Sequence, residues 1–257
     1  MNEKLKAFER LLNVMDDLRE KCPWDKKQTI ESLRHLTIEE TFELSDAILK
    51  NDSNELKKEL GDILLHIVFY ARIASETNQF NIADVMNSLC DKLIFRHPHI
   101  YGDIKVESAE EVTQNWEKLK QKEKDGNKTV LSGVPNSMPA LLKAYRIQEK
   151  ARAVGFDWDK PEQVFEKVRE EIEELHEEVE QSKDLAKIEN EFGDVLFSLI
   201  NYARFLKVNP EDALEKTNKK FTKRFNYMEQ KIKEQGKQIS DCTLAEMDVF
   251  WNEAKSL

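Results

Sequence analysis

Laid over itself, the chain repeats. Pro23-Trp24-Asp25-Lys26 is answered by Asp157-Trp158-Asp159-Lys160, and Glu39-Glu40-x-x-Glu43 by Glu170-Glu171-x-x-Glu174. Glu59-Leu60-Gly61-Asp62 is answered by Glu191-Phe192-Gly193-Asp194. Each copy runs on through an apolar stretch to Tyr-Ala-Arg, at 70–72 and 202–204. Lys92 and Arg96 correspond to Lys220 and Arg224, and Trp116 to Trp251, with every offset between 128 and 135 residues. Landmarks in one order at a nearly constant spacing mark a tandem duplication, so a fold found for one half holds for the other. Between the halves, DGNKTVLSGVPNSMP over 125–139 gathers two of the seven Gly and two of the six Pro, and reads as a linker. The expected organisation is a domain over 1–124, a linker over 125–138 and a second domain over 139–257.

The repeated unit is helical. Few breakers interrupt 257 residues of which 35% are charged and 40% hydrophobic. Apolar residues recur at helical spacing, as in Phe8, Leu11, Leu12, Met15 and Leu18, and no run alternates as a strand would. The first helix should stop at Cys22-Pro23, because proline disfavours helical backbone in the residue before it. Further helices are expected near 28–50, 54–78, 81–97, 107–124, 139–153, 161–181, 184–207, 210–235 and 243–256. The fold class is therefore all-α, a tandem duplication of a helical bundle.

A formal net charge of −10 argues against a partner among polymeric nucleic acids, whose backbone calls for a basic surface. The three cysteines, Cys22, Cys90 and Cys242, form no CxxC pair and fit a reducing compartment. The start Met1-Asn2-Glu3-Lys4 has no apolar core of a signal peptide. The greasiest run, 63–74, is too short to span a bilayer. A cytoplasmic protein without membrane contact is the expectation.

Residues three apart on a helix share a face, so Glu171 pairs with Glu174 and Glu191 with Asp194, and a helical hairpin would bring the two pairs together. An acidic run such as 170–180, with seven Glu, is by itself usually a solvated face. The recurrence of the paired pairs as Glu40, Glu43, Glu59 and Asp62 shifts the reading to metal binding. Clustered carboxylates repel unless a cation lies between them, and an all-oxygen set suits Mg²⁺ or Mn²⁺. Gly61 and Gly193, fixed before each aspartate, cost helix stability and point to close helix approach or ligand access. Lys220 and Arg224, one turn apart, are spaced to clamp a polyphosphate. Lys167 and Lys187 each stand one turn before a ligand candidate. Trp251 has two readings, stacking on a base or filling the core.

EExxE followed by ExxD resembles the all-α nucleoside triphosphate pyrophosphohydrolases. The segments CPWD (22–25), RHPHIYGD (96–103), LSGVP (131–135) and VGFDW (154–158) are similar to those of the MazG family within that group. The resemblance implies a Mg²⁺-dependent hydrolysis of NTPs and dNTPs between the α and β phosphates, and a helical homodimer. It implies metal binding by Glu171, Glu174, Glu191 and Asp194, and by the matching first-half set. It also implies substrate contacts from Lys167, Lys187, Lys220, Arg224 and Trp251, with Lys92 and Arg96 as their first-half counterparts. Glu170 or Glu171 is the candidate proton acceptor. A nucleotide-sensing or partner-binding bundle, or a base-specific dUTPase-like or dCTPase-like enzyme, are the alternatives.

The halves are not equal in charge. Lys167 falls opposite Leu36 and Lys187 opposite Glu55, so the first site has two fewer positive charges and one more negative. At an effective dielectric near 20, one charge at roughly 5–6 Å contributes about 3 kcal/mol before screening. The second half is expected to be the main catalyst.

Overall fold

The computed structural model describes residues 2–106, 129–181 and 184–256, together with 108, 111, 112, 116 and 119. Among them there is no strand, and the chain divides into two compact units, Met1–Glu107 and Ser108–Leu257. No helix among the described residues is long and apolar enough to cross a membrane.

The first unit contains α1 (Glu3–Lys21), α2 (Ile30–Lys50), α3 (Ser53–Ser75), α4 (Ile82–Arg96) and the single turn α5 (Pro98–Tyr101). Helix starts are written in the sequence. Thr29 and Ser32 close a capping box on α2, and Asn81 and Asp84 do so on α4. Asn51, left-handed at φ 54°, ends α2, and Asp52 caps α3 at once, so the chain folds back as a hairpin. The core sits where α1 lies on that hairpin, in a cluster of Met15, Leu33, Val68 and Phe69. A polar chain seals its flank: the Thr37 hydroxyl lies 2.8 Å from His66 Nδ1 and 2.5 Å from the Tyr70 hydroxyl. Burial lowers the pKa of His66, favouring its neutral form.

The second unit contains α6 (Ala140–Ala153), α7 (Pro161–Gln181), α8 (Leu185–Phe205), α9 (Pro210–Glu234) and α10 (Leu244–Glu253). Helices α7 and α8 form the hairpin equivalent to α2–α3; α6 packs on α8, and α10 on α9. Gly155, at φ +88°, lets the chain leave α6 in a conformation that side chains disfavour. The helices match the sequence expectation with small differences at their ends. Helix α3 stops at Ser75 and α8 at Phe205, ahead of the left-handed residues Asn78 and Lys207.

The helix expected over 107–124 falls largely outside the described residues, as does 125–128 of the expected linker. The described remainder, 129–138, is turn and bend. It is anchored to α6, where the buried Lys150 donates to the Val130 carbonyl at 3.2 Å.

Candidate active site

In each unit the hairpin brings three carboxylates together. Oxygens of Glu171, Glu174 and Glu191 lie within 4.8 Å of one another, and so do those of Glu40, Glu43 and Glu59. Asp194 and Asp62 stand outside these triplets. An aspartate on the same helix face as a glutamate is one methylene shorter and reaches less far. Asp194 lines an adjoining cavity, while Asp62 is close enough to Glu40 to raise its pKa.

Both clusters are electrostatically stressed. Burial and then Asp62, Glu43, Glu59 and Glu39 push the Glu40 carboxyl up. Loss of hydration raises Glu174, Lys167 opposes it, and Glu171, Glu170 and Glu191 add to the rise. Glu59 is 2% exposed; its Oε1 accepts from Lys58 Nζ at 2.9 Å, but its Oε2 is sealed from water with no hydrogen-bond partner. A buried anionic oxygen left so is costly, and a divalent cation bound by hard oxygens is the group that fits it.

The sequence-selected cations divide into those at the hairpin and those elsewhere. Lys167 Nζ lies 2.7 Å from Glu170 Oε1 and 2.8 Å from Glu171 Oε1, and these two carboxylates raise its pKa. Lys187 lies 3.7 Å from Glu178 Oε1, one turn beyond Glu174 toward the hairpin tip. Lys220 and Arg224 lie one turn apart on α9. Trp251 on α10 packs against Phe221, ring centroids 5.0 Å apart. None of these three lines the cavity beside Glu171. Lys92 and Arg96 lie on the last turns of α4. Glu170 is exposed, next to the buried Glu171.

That cavity is what the sequence reading missed. It measures about 570 Å³ and opens between α6, the 155–158 loop, α7 and α8. Lys167, Glu171 and Asp194 mark one end, and Asn201 and Arg204 line it further along α8. Arg204 holds the loop: its guanidinium grips the Asp157 carboxylate with two nitrogens, Nη1 donating at 2.9 Å. A Cβ at Gly61 or Gly193 would meet nothing within 4 Å, so of the two expectations there, close helix approach or ligand access, the first is not met among the described residues.

Two segments of the chain, residues 28–101 and 159–228, each match the model of the MazG nucleotide pyrophosphohydrolase domain. The chain belongs to the MazG family. Each match carries one carboxylate hairpin, so the duplication is one of MazG domains. A nucleoside triphosphate pyrophosphohydrolase/pyrophosphatase MazG of Thermotoga maritima is 45% identical over 99% of this chain and 98% of its own length. A nucleoside triphosphate pyrophosphohydrolase of Escherichia coli K12 is 40% identical over 98% of both. The uncharacterised YabN of Bacillus subtilis is 43% identical over 96% of this chain and 51% of its own. The MazG chain described here is accordingly a hydrolase, a nucleoside triphosphate pyrophosphohydrolase.

Proposed function

We propose that the second unit hydrolyses NTPs and dNTPs at the α–β phosphate bond in a Mg²⁺-dependent reaction, releasing a nucleoside monophosphate and pyrophosphate. The observation that carries this reading is the convergence of Glu171, Glu174 and Glu191 beside a cavity of nucleotide size. Those three and Asp194 would hold the metal, for which Mn²⁺ could substitute. When bound, it supplies Lewis acidity toward phosphoryl oxygens. Glu170, outside the triplet and paired with Lys167, or Glu171 would take a proton from the attacking water at a carboxylate oxygen. Lys167, now paired with Glu170 and Glu171, exchanges them for phosphate oxygens when the triphosphate enters. Lys187 sits toward the hairpin tip, on the side where the outer phosphates would extend.

Homodimerisation is part of the proposal. Leu60, Leu64 and Ile67 on α3, and their counterparts Phe192, Leu196 and Leu199 on α8, are exposed apolar stripes at equivalent places, the kind of surface that marks an interaction site. A cytoplasmic location, where nucleoside triphosphates are abundant, is also part of the proposal.

The test is incubation with each NTP and Mg²⁺ in water labelled with heavy oxygen, followed by phosphorus NMR and mass spectrometry. Pyrophosphate, with label in the monophosphate, is expected. Label in pyrophosphate would move the attack to the β phosphorus. No turnover at any metal concentration would leave a binding protein.

A further inference from the structure

We propose that residues 129–138 act as a strap that fixes one wall of the second unit's cavity, and that Lys150, which does not itself line the cavity, is the positioning residue that holds the strap in place. This rests on the hydrolase reading above. It gives a task in the reaction to a segment whose Gly and Pro content reads as a tether.

The segment is a run of closed turns. The Ser132 amide donates to the Thr129 carbonyl at 3.3 Å, Val134 to Leu131 at 3.0 Å and Met138 to Pro135 at 3.2 Å. The Ser132 hydroxyl reinforces the first turn, accepting from the Thr129 amide at 3.2 Å and donating to the Thr129 carbonyl at 2.9 Å. Hydrogen bonds between residues three apart close β-turns, and Pro135 fixes one further backbone angle. A flexible tether behaves as a random coil; this one is folded.

Two lysines of α6 fasten it. Lys143 Nζ donates to the Asn136 carbonyl at 2.7 Å, and Lys150 Nζ to the Val130 carbonyl at 3.2 Å. The lysines stand two turns apart, about 10 Å along the helix, and they take the two carbonyls in reverse order, so the strap runs back along α6. Lys150 is 3% exposed. An ammonium so placed is costly to dehydrate, whereas methionine would fill the same space without that penalty. What the lysine adds is charged N–H groups, which bond a carbonyl oxygen more strongly than neutral donors do.

The pinned carbonyl lies next to a wall residue. Leu131, which follows Val130, lines the cavity with Ile147 and Ala151 of α6, and Lys150 directly precedes Ala151. The pin thus joins the two pieces of chain that make this wall. Loosening it frees Leu131 while leaving the carboxylate hairpin untouched. A shift of about 1 Å in such a wall is enough to disturb a bound substrate's alignment.

The experiment uses the full chain and four variants: Lys150→Met, Lys150→Arg, Leu131→Ala and the double variant Lys150→Met with Leu131→Ala. Circular dichroism checks folding, and hydrogen exchange followed by mass spectrometry reads the strap. KM and kcat are measured for NTP hydrolysis with Mg²⁺, and calorimetry gives the affinity for an α,β-methylene NTP, which cannot be cleaved at that bond. In Lys150→Met, exchange over 129–134 should speed up about tenfold with α7 and α8 unchanged. Its KM should rise about fivefold while kcat falls less than about twofold, the pattern of lost uniform binding. Lys150→Arg, which keeps a charged donor, should stay within about twofold of wild-type KM. Leu131→Ala should also raise KM, and the double variant should be no worse than Lys150→Met, because both act through one wall. Unchanged exchange in Lys150→Met, unchanged KM despite faster exchange, additive losses in the double variant or failure of Lys150→Arg to rescue would each overturn the assignment. If Lys150→Met fails to fold, Leu131→Ala decides, and a wild-type KM in that variant sinks the strap. A wild type that releases no pyrophosphate would end the hydrolase reading; weaker binding of the α,β-methylene NTP by Lys150→Met would then still uphold the strap.

Discussion

The two units share a carboxylate hairpin and differ in what stands beside it. In the first, Phe69 joins Met15, Leu33 and Val68 in a sealed cluster, with His66, Thr37 and Tyr70 bonded along its edge. In the second, the positions of Phe69 and His66 are held by Asn201 and Ser198, and a cavity of about 570 Å³ opens there. A smaller cavity of about 180 Å³ in the first unit, lined by Met15, Asp16, Val68 and Arg72 among others, is not lined by Glu40, Glu43, Glu59 or Asp62. Charge differs in the same direction, since Lys167 is present on α7 where α2 has Leu36. One copy of the domain thus keeps an acidic cluster beside a packed aromatic ring, while the other adds a cation and a larger cavity. An acidic cluster and a cavity beside it are separable features of this fold.

The largest expected effect tests that division directly. Glu174→Gln should lower NTP hydrolysis roughly a hundredfold or more, and Glu43→Gln less than tenfold, in assays run side by side on one nucleotide. Equal losses would put catalysis in both units. Next in size, Phe69→Asn should destabilise the first unit by about 4 kcal/mol, since it removes a buried aromatic ring and leaves an amide unpaired. Urea unfolding should show the first unit's transition moving and the second's staying. A loss below about 1 kcal/mol would mean that the first unit, too, tolerates a hollow.

A smaller effect concerns the metal. Glu59→Gln should abolish most of the Mg²⁺-dependent rise in the first unit's melting temperature, because ligand binding stabilises only while the site binds. The variant without Mg²⁺ should melt no lower than wild type, having lost a buried charge. A full Mg²⁺ response in Glu59→Gln would remove the first cluster from the metal sites.

The smallest is local to the second unit. Glu246 closes the capping box at the start of α10 and accepts from Lys237 at 2.9 Å, and with Thr243 this holds its pKa at about 2 against an ordinary 4.5. A depressed carboxylate contributes stability that is fully present above 4.5 and is lost as the pH falls toward 2. Glu246→Gln should therefore melt below wild type at pH 7, and the gap should close on acidification, with the first unit's transition the same in variant and wild type at each pH. A gap that widened toward pH 2 would show that the carboxylate does not stabilise as its partners indicate.

Much of this was legible in the letters. Caps such as Thr29, Asn81 and Thr243 act over three residues and can be read directly, which is why the helix limits fall where periodicity places them. Three of the four carboxylates of each set converge because i, i+3 spacing and a hairpin are enough to bring them together. The reach of Asp62 and Asp194 was not legible, since it depends on side-chain length across a packed interface. Nor was the placement of Trp251 against Phe221, which is decided by how α10 lies on α9. The cavity was missed for a different reason. Its signal, Phe69 against Asn201 one residue before the repeated Tyr-Ala-Arg, is a difference between the copies, whereas the landmarks were found by looking for identity. The hydrogen bonds that tie Gln148 to the Phe197 carbonyl and Arg204 to Asp157 span 49 and 47 residues, beyond any local pattern.

The two mid-helix glycines carry a consequence of another kind. Gly61 and Gly193 sit in α3 and α8 with empty space where a methyl group would go. Alanine at either place should strengthen its helix by about 1 kcal/mol without a clash inside the chain. The native sequence thus gives up sturdiness twice, at matching positions, with no close contact among the described residues that requires it. For an engineer, Gly61→Ala and Gly193→Ala are cheap routes to a hardier protein. Any activity lost along with the gain at Gly193 would measure how much of the helix surface a partner or substrate needs left bare.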